Sequence, residues 1–276
     1  GMKGKRSDSQ LDWYNAPDPR PDYYQKLPSY IEDSAVGQRV REAWDQDVNV
    51  RQINWTHLYQ SNYANETIIE NANGLPGNTI SGKRAAYWLN ERHSDPQELQ
   101  FFGKLNWNLK RHLFNIKYRL RAGSLDNYLK LTDLLGADFL VDSEDFIDNP
   151  IFQNPDARYP NHIIHEGDTY GYHYKSHHLN QTMMADYNYY GRKWDFNAGL
   201  ATELNAFSRE GFFQNAINAN SLGTSDKINQ NGYSAKSMLT WKINGRNYFR
   251  ANIAYQKLPN RFDQTFINPE WNANIL

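Results

Sequence analysis

Leu99-Gln100-Phe101-Phe102-Gly103-Lys104-Leu105-Asn106-Trp107-Asn108-Leu109-Lys110-Arg111-His112-Leu113-Phe114-Asn115-Ile116-Lys117-Tyr118-Arg119-Leu120 alternates twice. Leu99, Phe101, Gly103, Leu105, Trp107 and Leu109 hold the odd positions. Gln100, Lys104, Asn106 and Asn108 hold the even ones, with Phe102 as an intruder. Past Lys110-Arg111 the phase flips: His112, Phe114, Ile116, Tyr118 and Leu120 are even, with Asn115, Lys117 and Arg119 between them. A period of two over this length is a strand signal. Folding at Lys110-Arg111 sets Leu109 against His112, Trp107 against Phe114, Leu105 against Ile116, Gly103 against Tyr118 and Phe101 against Leu120. A one-residue slip destroys this match, so the register is well specified. Strands of about ten residues with one greasy face and one wet, cationic face fit the wall of a transmembrane β-barrel. A sheet of a soluble sandwich alternates as well.

Two further hairpins follow the same pattern. Leu179, Met183, Ala185, Tyr187 and Tyr189 alternate with polar residues, a row that Met184 breaks. After Gly191-Arg192, Trp194, Phe196, Ala198, Leu200, Thr202 and Leu204 alternate with Asp195, Asn197, Glu203 and Asn205. Folding there sets Tyr189 against Trp194, Tyr187 against Phe196 and Met183 against Leu200, with aromatics at the turn end as in an interfacial girdle. Asn244-Gly245-Arg246 closes the third hairpin, because Asn-Gly is a strong hairpin signal. It pairs Trp241 with Phe249 and Leu239 with Ala251. The expected organisation is a loop over 1–82, a hairpin over 85–121, a loop over 122–176, a hairpin over 177–207, a loop over 208–231, a hairpin over 232–256 and a loop over 257–276. All tight turns fall at one end and all long loops at the other. Outer-membrane barrels sort their short periplasmic turns and longer extracellular loops this way.

The loops carry the candidate chemistry. Residues 12–24 place prolines at 17, 19 and 21, so this is an extended or turning loop. Its aromatics Trp13, Tyr14, Tyr23 and Tyr24 are the candidate ligand-binding residues, either packing the loop or presenting to a ligand. The spacing of Val36, Val40, Ala43 and Trp44, and of Trp55, Leu58 and Tyr59, predicts one or two short helices between Ser34 and Tyr63. Tyr128–Leu135 is expected as another short helix. Asp95-Pro96 marks a bulge or a sheet edge, since proline cannot donate to a central ladder. Asp138, Asp142, Glu144, Asp145 and Asp148 suggest calcium by composition, but their spacing lacks the central glycine of a calcium loop. His162, His165, His173, His177 and His178 suggest zinc, without a third placed ligand. No metal and no cofactor are assigned.

Totals narrow the function classes. The 276 residues include no cysteine, which excludes disulfides and thiolate chemistry. Lys and Arg number 30 against 31 Asp and Glu, for a net charge of −1, so nothing in the total charge points to nucleic acid. Mean hydropathy is −0.86, yet aromatics make up 14%, which argues for ordered, water-facing loops rather than disorder. No apolar run is long enough for a transmembrane helix, a test that barrel strands evade. No signal peptide is expected at Gly1; Gly1-Met2 reads as a cloning scar before an initiator methionine or an arbitrary cut. No Gly-x-Ser-x-Gly, phosphate-binding glycine loop or His-Glu-x-x-His occurs, and no enzyme activity is assigned.

Residues 4–9, Asp12-Trp13-Tyr14-Asn15-Ala16-Pro17-Asp18-Pro19-Arg20-Pro21-Asp22-Tyr23-Tyr24, Asp133-Leu134-Leu135-Gly136-Ala137-Asp138 and Lys242-Ile243-Asn244-Gly245-Arg246-Asn247-Tyr248 with Ala251-Asn252 resemble segments of TonB-dependent outer-membrane receptors of Bacteroidetes-type bacteria, those with an N-terminal carboxypeptidase-like regulatory domain. The resemblance implies a barrel of about 22 strands around a plug. It implies an outer-membrane location, lipid contact, and uptake of a nutrient such as a glycan, peptide or chelate. It further implies energy from the inner-membrane TonB complex, reached through the plug, and a surface lipoprotein as a candidate partner. Six or seven strands, with no plug, no TonB-contacting segment and no closing aromatic strand, are expected of an internal piece of such a barrel, which alone would not transport.

The expected fold class is therefore all-β, with antiparallel up-and-down hairpins of a partial transmembrane barrel and long, partly helical extracellular loops. The alternative is a secreted soluble β-sandwich that binds or hydrolyses glycans. The two differ in where Trp107, Phe114, Trp194, Phe196, Trp241 and Phe249 point: outward from one surface, or into a core between two sheets.

Overall fold

The computed structural model describes residues 1–145 and 147–275. It is mostly β, built on one antiparallel sheet of up-and-down strands. Six long strands form its body: β5 (Tyr87–Leu109), β6 (His112–Asp133), β9 (Thr169–Tyr190), β10 (Trp194–Gly211), β12 (Ile228–Lys242) and β13 (Tyr248–Lys257). They lie side by side in chain order. Three short strands join them: β1 (Met2–Lys3) and β2 (Ser7–Trp13) on the free side of β5, and β11 (Gly223–Thr224) on β10. The other short strands are β3 (Glu66–Ile69) with β4 (Ile80–Lys83), and β7 (Leu140–Val141) with β8 (Ile163–Ile164). Helices α1 (Ser34–Gln46) and α2 (Trp55–Ala64) fill the predicted helical window, α2 running one residue past it. Asp33 caps α1 through the amides of Ala35 and Val36, and Asn54 caps α2 through that of His57.

The first hairpin has the predicted register at all five pairs, from Leu109 against His112 to Phe101 against Leu120. Its two-residue turn puts Lys110 at φ 53°, in the left-handed region. The third hairpin is also as predicted, with Trp241 against Phe249 and Leu239 against Ala251. There the Asn244 side chain accepts from the amides of Arg246 and Asn247, both at 2.9 Å, and so builds the turn. The second hairpin is corrected by two residues. Tyr189 opposes Phe196, not Trp194, and Met183 opposes Thr202, not Leu200. The turn is longer than Gly191-Arg192 because Gly191 N donates back to Trp194 O at 2.8 Å. A two-residue shift keeps every side chain on its face, so alternation alone cannot detect it.

The strands also outrun their expected limits at the loop end. Residues 122–133 and 169–176 are strand, and Tyr128–Leu135 is not a helix: Tyr128 pairs with both His93 and His173. Cross-strand partners on two sides override the local helical spacing. The segment 1–82 is not wholly loop, since β2 pairs with Tyr87–His93. Its first four residues, Ser-Asp-Ser-Gln, are all polar, so the alternation is carried by Leu11 and Trp13 alone, too short a run to read as a strand. Pro96 lies inside β5, with β6 on one side and the terminal segment between β1 and β2 on the other, so it marks neither a bulge nor a free edge. Gly4 N donates to Pro96 O at 2.9 Å, so the donor-less nitrogen faces the terminal segment and not β6.

Rows from Leu109 to Leu99 run across the sheet with one face apolar. Leu105, Trp107 and Leu200 are 64%, 61% and 66% exposed on it. At about 3.3 Å per residue and a tilt near 45°, ten residues make a band roughly 25 Å tall. Among the described residues, no buried hydrophobic side chain falls within 99–121, 179–205 or 233–257. The hydrophobic core lies at the loop end. Its three clusters centre on Trp88, Leu131 and Ile164, on Ala72, Phe139 and Ile163, and on Leu58, Tyr87 and Leu135, so segments 58–88 and 131–170 form a packed cap.

Residues 258–275 do not simply leave the sheet; they fold back over its polar face at the loop end. Phe262 packs on Phe207 with ring centroids 6.3 Å apart. Arg209, 1% exposed, donates through Nε to Pro269 O at 2.6 Å. Gly232 permits this path, since a Cβ there would lie 2.5 Å from Pro259 Cδ.

Candidate functional site

The cap holds an open cavity of about 400 Å³. Its walls are the Pro17–Pro21 loop on one side and Trp44 with the Asp47–Asn54 connection on the other. Leu58 and Tyr87, both 1% exposed, form its floor. Proline fixes φ, so three prolines at alternate positions make a stiff wall. Internal bonds hold that wall in place. Tyr87 OH donates to Pro17 O at 2.8 Å, and Lys26 Nζ donates to the carbonyls of Asp18 and Arg20 at 2.5 and 3.2 Å. The Arg20 guanidinium grips Asp18 and holds its carboxyl below the ordinary range. On the other wall Asp47 receives the amide and side chain of Asn49. The result is an indole, proline rings and side-chain amides around one space, groups suited to stacking on and hydrogen-bonding a polar organic ligand.

The four aromatics expected from sequence separate into two pairs. Trp13 packs with Leu58, Tyr87 and Leu135, and Arg20 lies 5.4 Å over its ring. Tyr14 packs against the Trp88 cluster under Arg84 at 4.5 Å, and its hydroxyl donates to Gln153 at 3.3 Å. These two build the cap. Tyr23 and Tyr24 instead join Tyr30 in an edge-on trio, with centroids 4.8 and 4.9 Å apart. Tyr24 and Tyr30 stay exposed. Trp44, Gln52 and Lys26 were missed as cavity residues. Trp44 carries the spacing of a packing helix face, and only the tertiary approach of the proline loop turns it toward a cavity.

The metal candidates resolve into other roles. Asp138 accepts the amide of Lys83 at 2.8 Å, and Asp142 accepts that of Gly171 with both oxygens at 3.1 Å. His173, His177 and His178 lie on β9 rather than in a loop, beside Asp126, Glu210 and Glu98 respectively. Among the described residues no three such groups converge on one point.

Asp142 lies in the cap outside the cavity lining and is 4% exposed. Burial pushes its carboxyl up to about 7, against the lowering effect of the Gly171 amide; Asp156 and Glu144 raise it further. The folded chain thus holds this proton where the unfolded chain, near pH 4, has released it. Stability contributed by the neutral form is complete below about pH 4 and declines as pH rises to 7. The cap is expected to be more stable at pH 5 than at pH 8, by about 3 kcal/mol at most. Asp142→Asn should flatten that dependence in denaturant titrations at the two pH values. An unchanged slope would assign it to another group.

Comparison with protein-family models, with curated proteins and with solved structures found no match.

Proposed function

We propose that this chain is wall and extracellular cap of an outer-membrane TonB-dependent receptor that takes up a nutrient. The observation that carries the proposal is the division of the molecule. Large apolar side chains stand exposed on one face of a single sheet over a membrane-high band, while the hydrophobic core is confined to the loops at one end. Water penalises such a face and hydrocarbon does not. A β-sandwich would bury Trp107, Phe249 and Leu200 between two sheets, and here they are exposed on one. In lipid, the Leu99–Leu109 half of β5 and the outer side of β13 each need a further paired strand. The proposal therefore places these six long strands in the arc of a larger barrel. The cap cavity and the Tyr23-Tyr24-Tyr30 trio would meet the nutrient first, and transport energy would come from the inner-membrane TonB complex through a plug.

These 276 residues hold no cysteine, so a thiol introduced here competes with none in this chain. In intact cells carrying the full-length protein, Tyr24→Cys is expected to react with a membrane-impermeant maleimide. Gly245→Cys, in a tight turn, should react only after the outer membrane is opened. Equal labelling of both in intact cells would end the receptor reading. Full labelling of a secreted, detergent-free product would favour a soluble glycan-binding protein.

A further inference from the structure

We infer that the polar face of the sheet is an anion-selecting lining, and that the cargo passing it is an anionic solute bearing carboxylate or phosphate groups. The inference rests on the membrane reading above and adds the substrate class.

The chain as a whole is close to neutral, at −1, but its charges are not evenly placed. Within the rows whose other face is apolar, strand alternation puts Lys104, Lys117, Arg119 and Arg121 on the polar face of the first hairpin, and Lys236, Lys242 and Arg250 on that of the third. Four carboxylates share that face, and three of them are already engaged by cations. Asp186 lies between Lys117 and Lys236, at 3.9 and 3.4 Å. Glu98 receives Arg121 at 2.6 Å, and Asp195 receives Lys242 at 2.7 Å. The fourth, Glu203, accepts from Asn180 at 2.6 Å.

Three cations remain without a carboxylate partner among the described residues: Lys104, Arg119 and Arg250. Arg250 Nε donates to the Thr240 hydroxyl at 3.2 Å, and its guanidinium lies 5.5 Å over the Tyr248 ring, neither of which neutralises its charge. Arg119 reaches Thr182 weakly, at 3.4 Å, and its Nε is buried with no acceptor. A buried guanidinium N–H costs free energy until an acceptor oxygen arrives. Cations fixed on a wall backed by hydrocarbon concentrate their field into the water beside them and raise the local concentration of anions. Lysine and arginine linings are how pores select anions and phosphates. The folded-back segment 258–275 lies directly above this stretch, bridging from Arg209 to Arg92, so the cationic surface begins where the cap ends.

Adjacent methionines provide the test. Met183 is on the apolar face, paired with Tyr118, and Met184 is on the polar face, paired with Lys117. Single cysteines at these positions sit at the same depth on opposite sides. The full-length protein in cell envelopes, at low ionic strength, is treated with anionic sulfonatoethyl or cationic trimethylammonioethyl methanethiosulfonate. Rates are divided by those of a free thiol in solution. Met184→Cys is expected to favour the anionic reagent about tenfold, and Met183→Cys to be protected from both. Adding Lys104→Gln, Arg119→Gln and Arg250→Gln should lower the tenfold preference at least threefold. Met184→Cys alone decides the matter should that combination fail to assemble. A ratio near one or below at Met184→Cys, with Met183→Cys protected, would overturn the anion lining and leave the membrane reading standing, as when an acidic protein surface neutralises these cations. Fast reaction of Met183→Cys with both reagents would overturn the membrane reading itself.

Discussion

Asn62→Ala is expected to unfold the cap while the hairpins stay paired. Asn62 is 0% exposed, and its one side chain satisfies backbone groups from two segments distant in sequence. Its Nδ2 donates to the carbonyls of Tyr87, Leu134 and Leu135 at 2.7, 2.9 and 3.2 Å. Its Oδ1 accepts from the amides of Ala86 and Tyr87 at 2.8 and 3.0 Å. This amide joins α2 to the start of β5 and to the end of β6, between the Trp88 cluster and the Leu58 cluster. Alanine removes all five contacts and leaves buried donors and acceptors that water cannot reach. Leu134 O keeps the amide of Ala137; the other groups cost about 1–3 kcal/mol each, partly recovered as the site relaxes, so about 3–5 kcal/mol of local stability should be lost. Limited proteolysis of residues 15–84, together with the fluorescence of Trp44, Trp55 and Trp88 in a denaturant series, reads this out. Asn62→Asp should be at least as damaging, because it turns a carboxylate toward three carbonyls. A loss within about 0.5 kcal/mol of wild type for both variants would mean that the cap is held by its apolar clusters alone.

Asn62 also shows where sequence reasoning stops. An asparagine on a short helix carries no mark of its role, because both groups it serves are backbone atoms of other segments. The hairpins were legible because period-two alternation and a turn residue specify register locally, as the Trp107–Phe114 and Trp241–Phe249 pairs show. The second hairpin was legible only to within two residues, since Tyr189 suits either Trp194 or Phe196 as a partner. The upper halves of the strands were not legible. Above the apolar band the phase reverses: Tyr170, Tyr172 and Tyr174 alternate with Gly171, His173 and Lys175 but lie buried on the face that is polar lower down, a period-two signal outside the rows that the hairpin turns pointed to. The cavity was half legible. The proline spacing predicted an extended or turning loop, but the approach of Trp44 to it depends on how α1 and α2 dock, which no local pattern encodes. Trp13 and Tyr14 carry the same composition signal as Tyr23 and Tyr24, yet burial separates them.

Ile116→Arg is expected to cost about 2–4 kcal/mol in a bilayer and next to nothing in water. Ile116 lies in the middle of the apolar band, between Leu105 and Ala185, and its side chain is exposed. Arginine at the midplane of a barrel's lipid face carries that penalty, whereas surface substitutions in water usually stay within about 0.5 kcal/mol. The neighbouring residue is the control, because Asn115 faces the polar side and Asn115→Arg should be tolerated in either medium. Depth gives a second axis. Leu99→Arg, at the upper margin of the band, should cost about 0–1 kcal/mol, and Leu200→Arg, level with Ile116, should match it. Equilibrium unfolding of the full-length protein in lipid vesicles measures all four. A penalty that depends on face and falls with distance from the centre has one physical source, the desolvation of a guanidinium in hydrocarbon. Equal costs at Ile116 and Asn115 would mean that both faces meet water, and these hairpins would then need a protein partner, not lipid, to cover their apolar side.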